Sequence, residues 1–282
     1  TSSVSVRAGS DLAFTAGFDL GGATLDMQSF AVTLTGGSAN IYNGNVVNAK
    51  DLIGMPASGT SYPVLDNITY DGNMNIRGRV QINSSVIVKN SLTVTDTLEN
   101  SSGYAHPEKI LKIIGNLTNN GIIKNGGSAG LALNVSGNIS NNGQWIHNRT
   151  ELSGSAHQGL TLSVNRIFEA AFQVTDSLGM IVAGSPLAFS RGMNLKKNVL
   201  DMKNYALTLQ SAGAAIYNGI VINTSDLIGK AVGDQYGTPI LDDITYHGTV
   251  NLRGLLRVNA CTLKGNVTVT DTVQNSTGYA HP

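Results

Sequence analysis

Residues 14–107 of this chain recur as residues 189–282, a spacing of about 175 residues that limits every fold the chain can adopt. Two landmarks fix the phase. Ile41-Tyr42-Asn43-Gly44 returns as Ile216-Tyr217-Asn218-Gly219, and Ser101-Ser102-Gly103-Tyr104-Ala105-His106-Pro107 returns as Ser276-Thr277-Gly278-Tyr279-Ala280-His281-Pro282. A long internal repeat of this kind marks a structural array, because an enzyme needs one active site and rarely duplicates it within a chain. Ala8–Phe14 also matches Ala183–Phe189, so the chain enters and leaves the repeat in mid-phase. We therefore expect a window on a longer protein. Residues 1–175 would form the first full repeat, and residues 176–282 a partial second repeat continuous with it.

The differences between the copies point the same way. Met74, Ile76, Val80 and Ile82 are replaced by Val250, Leu252, Leu256 and Val258. Such exchanges keep a core filled with little change in volume. Asp71 becomes His247 and Arg79 becomes Leu255, so charge drifts more freely. The register absorbs one inserted residue near Thr60–Pro63 and loses one near Ser85–Val88, which is loop slippage over an unchanged core.

Composition sets the class. Eighteen basic residues balance 18 acidic ones and only 13% of the chain is charged, which leaves no basic footprint for nucleic acid. No run of about 18 apolar residues occurs, so no helical membrane span is expected. Gly is abundant at 33, Pro scarce at 6, and Asn makes up roughly a tenth of the chain. Val, Ile, Thr, Asn and Gly dominate, which favours strands and tight turns over helices.

A shorter beat runs inside the repeat. Gly115-Asn116-Leu117-Thr118-Asn119-Asn120-Gly121 is echoed by Gly137-Asn138-Ile139-Ser140-Asn141-Asn142-Gly143 after about 22 residues, a period typical of solenoid coils. Apolar residues alternate with polar ones at Leu131–Val135, at Met74–Ile82 apart from Gly78, and at Leu92–Thr95, copied as Val267–Thr270. Period-2 alternation puts one face in a core and the other in water. Short strands, Asn-Gly corners and this short beat predict an all-β chain folded as a parallel β-helix, or β-solenoid. Coils would rise about 4.8 Å each, so a repeat of about eight coils would span roughly 40 Å. Asn at stacked corners would form side-chain ladders and tolerate left-handed backbone. Asn43-Gly44, Asn120-Gly121, Asn125-Gly126 and Asn142-Gly143 mark such corners. The competing fold is a string of tandem β-sandwich domains, since Asn-Gly is also a hairpin signal.

The two Gly-Asn-x-Thr/Ser-Asn-Asn-Gly segments, followed by Arg149-Thr150-Glu151-Leu152-Ser153-Gly154-Ser155, resemble the right-handed parallel β-helix repeats of large secreted or surface, adhesin-like bacterial proteins. That resemblance covers residues 115–155. It implies an extracellular or cell-surface location and an elongated, non-catalytic stalk or fibre.

No residue is nominated as catalytic, cofactor-binding or metal-ligating, and no cofactor is expected. The duplicated Gly-Tyr-Ala-His-Pro motif reads as a Pro-terminated corner with Tyr104 and Tyr279 packed on a coil edge. The functional version for His106 and His281 is a contact between repeats. Asp66-Asn67, copied as Asp242-Asp243, offers too few oxygen ligands for Ca²⁺ and reads as a turn. Asp96 and Asp271 are expected to bond local backbone at a corner. Arg77 and Arg253, each before a glycine, suit a bend with a neighbouring acid. Cys261 stands alone and reads as a small buried hydrophobe. Asn67, Asn83, Asn116, Asn138, Asn148, Asn223, Asn266 and Asn275 fit glycosylation sequons, which an Asn-, Ser- and Thr-rich chain produces freely.

The function expected is that of a structural or adhesive repeat module, not an enzyme, that self-assembles into a stalk or filament by stacking coil on coil. Its partners would be other copies of itself, joined end to end or laterally. The alternative is a carbohydrate-binding β-helix, with Tyr42, Tyr70, Tyr217, Tyr246 and Trp145 as candidate glycan platforms. A polysaccharide-degrading β-helix would need clustered carboxylates, and the Asp and Glu residues are scattered.

Overall fold

Alternating apolar side chains can be buried in short strands only if each strand finds a partner, and here that partner is the next coil. A computed structural model describes residues 4–56, 58, 61–101, 107–175, 179–231 and 237–275. Every described regular element is a strand, and each ladder between named strands is parallel, giving a β-solenoid of about 12 turns. Parallel pairing throughout rules out tandem sandwiches, which are built on antiparallel strands. The chain divides into two compact units, Thr1–Arg149 and Thr150–Pro282.

In the first unit, each coil contributes a strand to three faces. The first face stacks Ser5–Arg7 on Thr24–Asp26 and, further along, Val86–Val88 on Lys109–Ile113 and Leu131–Val135. The second stacks Leu12–Phe14, Val32–Leu34, Leu52–Ile53, Met74–Arg77, Leu92–Val94, Leu117–Asn119 and Ile139–Asn141. The third stacks Arg79–Ile82, Thr97–Asn100, Ile122–Lys124 and Gln144–Ile146. Ile41–Val47 and Val64–Asp71 each serve the third face and then the first, bending at Asn43 (φ 58°) and Asn67 (φ 52°).

The second unit repeats the scheme. Ala215–Ile222 and Ile240–His247 bend at Asn218 (φ 56°) and Asp243 (φ 49°), and Leu187–Phe189, Leu207–Leu209, Asp226–Ile228, Val250–Arg253 and Val267–Val269 form the second face. Gly78 (φ 71°) and Gly254 (φ 70°) turn the chain between the second and third faces. The alternation read across Met74–Ile82 is therefore two strands on two faces, with the corner at Gly78.

The beat is elastic. Hydrogen-bonded neighbours on adjacent coils are separated by 22 residues at Asn116 and Asn138, 18 residues at Gln81 and Glu99, and 25 residues at Ser91 and Asn116. Strands hold their register while corners absorb the difference, so the strand columns are constant and the loops are not.

Inward side chains fill the space between the faces. Val80, Val94, Leu98, Ile113, Leu117, Ile123 and Leu133 are wholly buried in the first unit. Trp145 lies over Ile123 in the same column, beside the His147 ring at 5.2 Å. In the second unit Phe168, Phe172 and Phe189 pack with centroids 4.8–5.5 Å apart. Fully burying such side chains contributes about 1.5–3 kcal/mol each.

The coils also meet backbone to backbone at their corners. A Cβ built on Gly121 would lie 2.0 Å from the Asp96 carbonyl, whereas one on Gly9 meets nothing within 4 Å. Gly121→Ala should therefore lower stability by roughly 1–3 kcal/mol through overpacking, and Gly9→Ala should leave it unchanged. Urea unfolding midpoints check both.

Candidate functional site

The corners carry ladders of hydrogen-bonded carboxamides and carboxylates, as stacked Asn should. Asn43 Nδ2 donates to Asp19 Oδ1 at 3.3 Å, and Asn67 Nδ2 to Asn43 Oδ1 at 3.1 Å. Asn48 and Asn223 donate to Asp26 and Asp201, both at 3.0 Å. Asn75 donates to Asp51 at 2.7 Å and Asn251 to Asp226 at 3.1 Å, each accepting in turn from Thr95 and Thr270.

The Gly-Asn-x-Thr/Ser-Asn-Asn-Gly motif assigns a separate task to each Asn. Asn116 Oδ1 accepts from the Asn138 amide at 2.8 Å. Asn119 is buried and donates to Asn141 Oδ1 at 2.8 Å, while its own Oδ1 accepts from the Gly121 amide. Asn142 donates to Asn120 on the exposed side, also at 2.8 Å. Identical residues one coil apart thus bond to one another and hold the turn, although the buried Asn141 Nδ2 has no partner among the described residues.

The residues singled out from sequence take structural positions. Asp66 accepts from Asn83 and Ser84, Asp242 accepts from Asn259, and Asn67 and Asp243 occupy left-handed corners, consistent with a turn. Arg77 and Arg253 face Asp51 and Asp226 at 3.7 and 3.8 Å. Asp96 and Asp271 differ from expectation in one respect. Each accepts from a glycine amide of the preceding coil, Gly78 or Gly254, at 2.8 Å. The bond is not local because stacking sets the glycine corner of the preceding coil within hydrogen-bond reach of the carboxylate.

Cys261 is half-buried, with Sγ 3.2 Å from the Leu241 carbonyl, and burial pushes its thiol pKa up. Tyr70 and Tyr246 point inward, their hydroxyls donating to the Ala49 and Thr224 carbonyls at 2.5 and 3.0 Å. Burial pushes the Tyr70 phenol up, and the Asp51 carboxylate adds to the shift. Tyr42 and Tyr217 are half-buried over Gly17 and Gly192. Trp145 is inside the core. Tyr104, His106, Tyr279 and His281 lie outside the described residues.

One cluster escaped the sequence analysis. Glu99 occupies an outward strand position, yet it is wholly buried. Arg79 of the preceding coil clamps both its carboxylate oxygens at 2.8 Å, Gln81 donates at 2.8 Å, and Lys124 of the following coil lies at 3.5 Å. Tyr62 closes over the Arg79 guanidinium at 3.6 Å. The signal was present in the repeat, since Arg79 and Glu99 change together to Leu255 and Gln274. Both carboxylate oxygens are engaged, so the cluster acts as a lock between coils.

Among the described residues, no group of three or more His, Cys, Asp and Glu is placed to hold a metal ion. No helix among them is long and apolar enough to cross a membrane. Compared with known proteins, the chain matches no family model, and no curated protein or solved structure matches it.

Within the stack, each coil seals the one before it. Val88 and Val94, which stack on Tyr70 and Ile76, are wholly buried because Ile113 and Asn119 cover them from the next coil.

Two outcomes follow. Glu99→Gln leaves Arg79 without its partner and should destabilise by roughly 3 kcal/mol, the low end for a buried pair because Arg79 keeps some solvent contact. Adding Arg79→Leu, which copies the second repeat, should restore most of that loss in chemical unfolding. The hydrogen bond from Asn48 comes first among the causes that hold the Asp26 carboxyl below its ordinary range. At Asp201, burial pushes upward but hydrogen bonds from Lys203 and Asn223 outweigh it, and the net shift is downward. Both groups therefore stabilise the fold above the unfolded carboxyl pKa of ~3.9, and that contribution fades as pH falls through the lower folded values. Thermal melts across that acid window should show a shallower decline for the Asp26→Asn/Asp201→Asn variant than for the parent.

Proposed function

We propose that this chain is a non-catalytic structural or adhesive module of an extracellular or cell-surface protein, and that it elongates into a stalk or filament by stacking coil on coil. The observation that carries this reading is the parallel ladder that passes from coil to coil within each unit, where Val88 and Val94 are sealed by the coil that follows. Each coil offers its strand edges to the next, so the stack extends by adding coils. Sealing such side chains contributes ~1.5–3 kcal/mol each, and each main-chain bond adds about 1 kcal/mol.

Other features support the same reading. The two copies keep the same ladders, so a coil of either repeat presents the same corner groups to its neighbour. Zero net charge leaves little long-range repulsion between copies. The surface location rests on the resemblance of residues 115–155 to adhesin-like repeats. The glycan-binding alternative has less support, because Tyr70, Tyr246 and Trp145 are inside and Tyr42 and Tyr217 are half-buried, which leaves no row of exposed rings among them.

Negative-stain electron microscopy of chains carrying one, two and three full repeats tests the proposal. Unbranched rods that lengthen by roughly 40 Å per repeat support it, at about 4.8 Å per coil. Beads of constant size on a flexible string would overturn it.

A further inference from the structure

The second face has a property that packing does not explain. Its outward side chains are the same in both copies: Ala13, Thr33, Ile53, Asn75, Arg77 and Thr93 correspond to Ala188, Thr208, Ile228, Asn251, Arg253 and Thr268. Of the inward side chains of the same strands, Leu12, Phe14, Leu34, Leu52 and Val94 are unchanged as Leu187, Phe189, Leu209, Leu227 and Val269, while Val32, Met74, Ile76 and Leu92 are replaced by Leu207, Val250, Leu252 and Val267. Outward positions on the other two faces have drifted as well, including Asn45 to Ile220, Asp71 to His247, Arg79 to Leu255 and Glu99 to Gln274. In a solenoid maintained only by its core the pattern would run the other way, with solvent-facing residues free to change.

Few outward residues elsewhere stay the same, and apart from Thr69 and Thr245 on the first face several of these serve the fold. Asp26 and Asp201 anchor corner ladders, and Asp66 and Asp242 accept from the next coil. On the second face, Asn75 and Asn251 are similarly occupied. Ala13, Thr33, Ile53 and Thr93 and their copies are not, for their side chains make no hydrogen bond or ion pair among the described residues and are exposed or half-exposed. A contact outside the coil would account for their constancy.

The chemistry of the strip narrows what that is. Ala13, Thr33 and Ile53 stand in register, one per coil, as do Asn75, Thr93, Thr118 and Ser140. The side chains are small, and the strip bears no net charge, because Arg77 and Arg253 are each set against an aspartate. No aromatic ring lies among its described residues to stack on a sugar. A flat array of small side chains repeating at the coil spacing is best met by another array of the same spacing, as in paired sheets whose identical side chains interdigitate. The surface on hand with that spacing and chemistry is the strip itself.

We infer that the second face is a lateral docking surface whose occupant is a second copy of this chain, packed strip against strip across a twofold axis. An isologous contact of this kind explains the identity of the two copies, since each strip is both surface and partner and a change in one is felt twice. The inference deepens the self-assembly reading, on which it rests, by naming a lateral contact distinct from the end-on coil face.

Sedimentation velocity over a concentration series, with electron microscopy of the same samples, tests it. The parent chain should dimerise side by side. Thr33→Lys/Thr208→Lys should weaken that association at least tenfold, whereas Thr24→Lys/Val199→Lys on the first face should leave it unchanged. As a second measurement that does not depend on the lysine variants folding, Thr33→Cys or Thr208→Cys in a Cys261→Ser background should form interchain disulfides under mild oxidation, and Thr24→Cys should not. A parent chain that never widens beyond single rods, or lysine variants on both faces that behave alike, would overturn the inference. Capture of a soluble glycan by the strip in place of a second copy would do so as well. Loss of lateral pairing with rod length retained separates this contact from end-on stacking.

Discussion

Parallel main-chain hydrogen bonding from coil to coil is the constraint on which everything else in this molecule depends. Strands of two to eight residues cannot bury their polar backbone alone, so each gives its amides and carbonyls to the coils before and after it. The pairing fixes register: Val86 must meet Leu111, and Leu117 must meet Ile139. Once register is fixed, like positions stand above like, and inward columns must be apolar throughout. The corners become the only places where the chain can change length, which is why coils of 18 and 25 residues coexist in one stack.

Stacking also turns a weak residue preference into a strong one. A lone Asn at a corner gains little from its carboxamide beyond tolerance of left-handed backbone, but Asn119 beneath Asn141 gains a partner for that carboxamide in a buried site. The same logic lets Asp take a rung, as at Asp19, Asp26 and Asp51, because the Asn above donates to it. Ion pairs are a more local device. The Glu99 lock needs Arg79 below, Lys124 above and Tyr62 as a cover, and the second repeat dispenses with it by changing Arg79 and Glu99 together.

The flanks of each unit present one residue per coil at a constant spacing. The drift of charged groups on the first and third faces, set against the constancy of the second, shows that the flanks are not equivalent.

Much of this was legible in the chain itself. The long repeat, the alternation at Leu92–Thr95 and Leu131–Val135, and the Asn-Gly corners led to a parallel β-solenoid because periodicity is a property of sequence and needs no knowledge of contacts. The turn roles of Asp66 and the bends at Arg77 and Gly78 followed from local chemistry. Only the tertiary structure decided which coil each side chain addresses. Asp96 bonds Gly78 across a coil, Glu99 is buried from an outward position, and Tyr70 and Tyr246 turn inward. Each takes a hydrogen-bond partner from a neighbouring coil, 18 to 22 residues away, at a separation that the elastic corners set and no local pattern encodes. The sequence determined what a coil is, and the stacking of coils determined what each residue does.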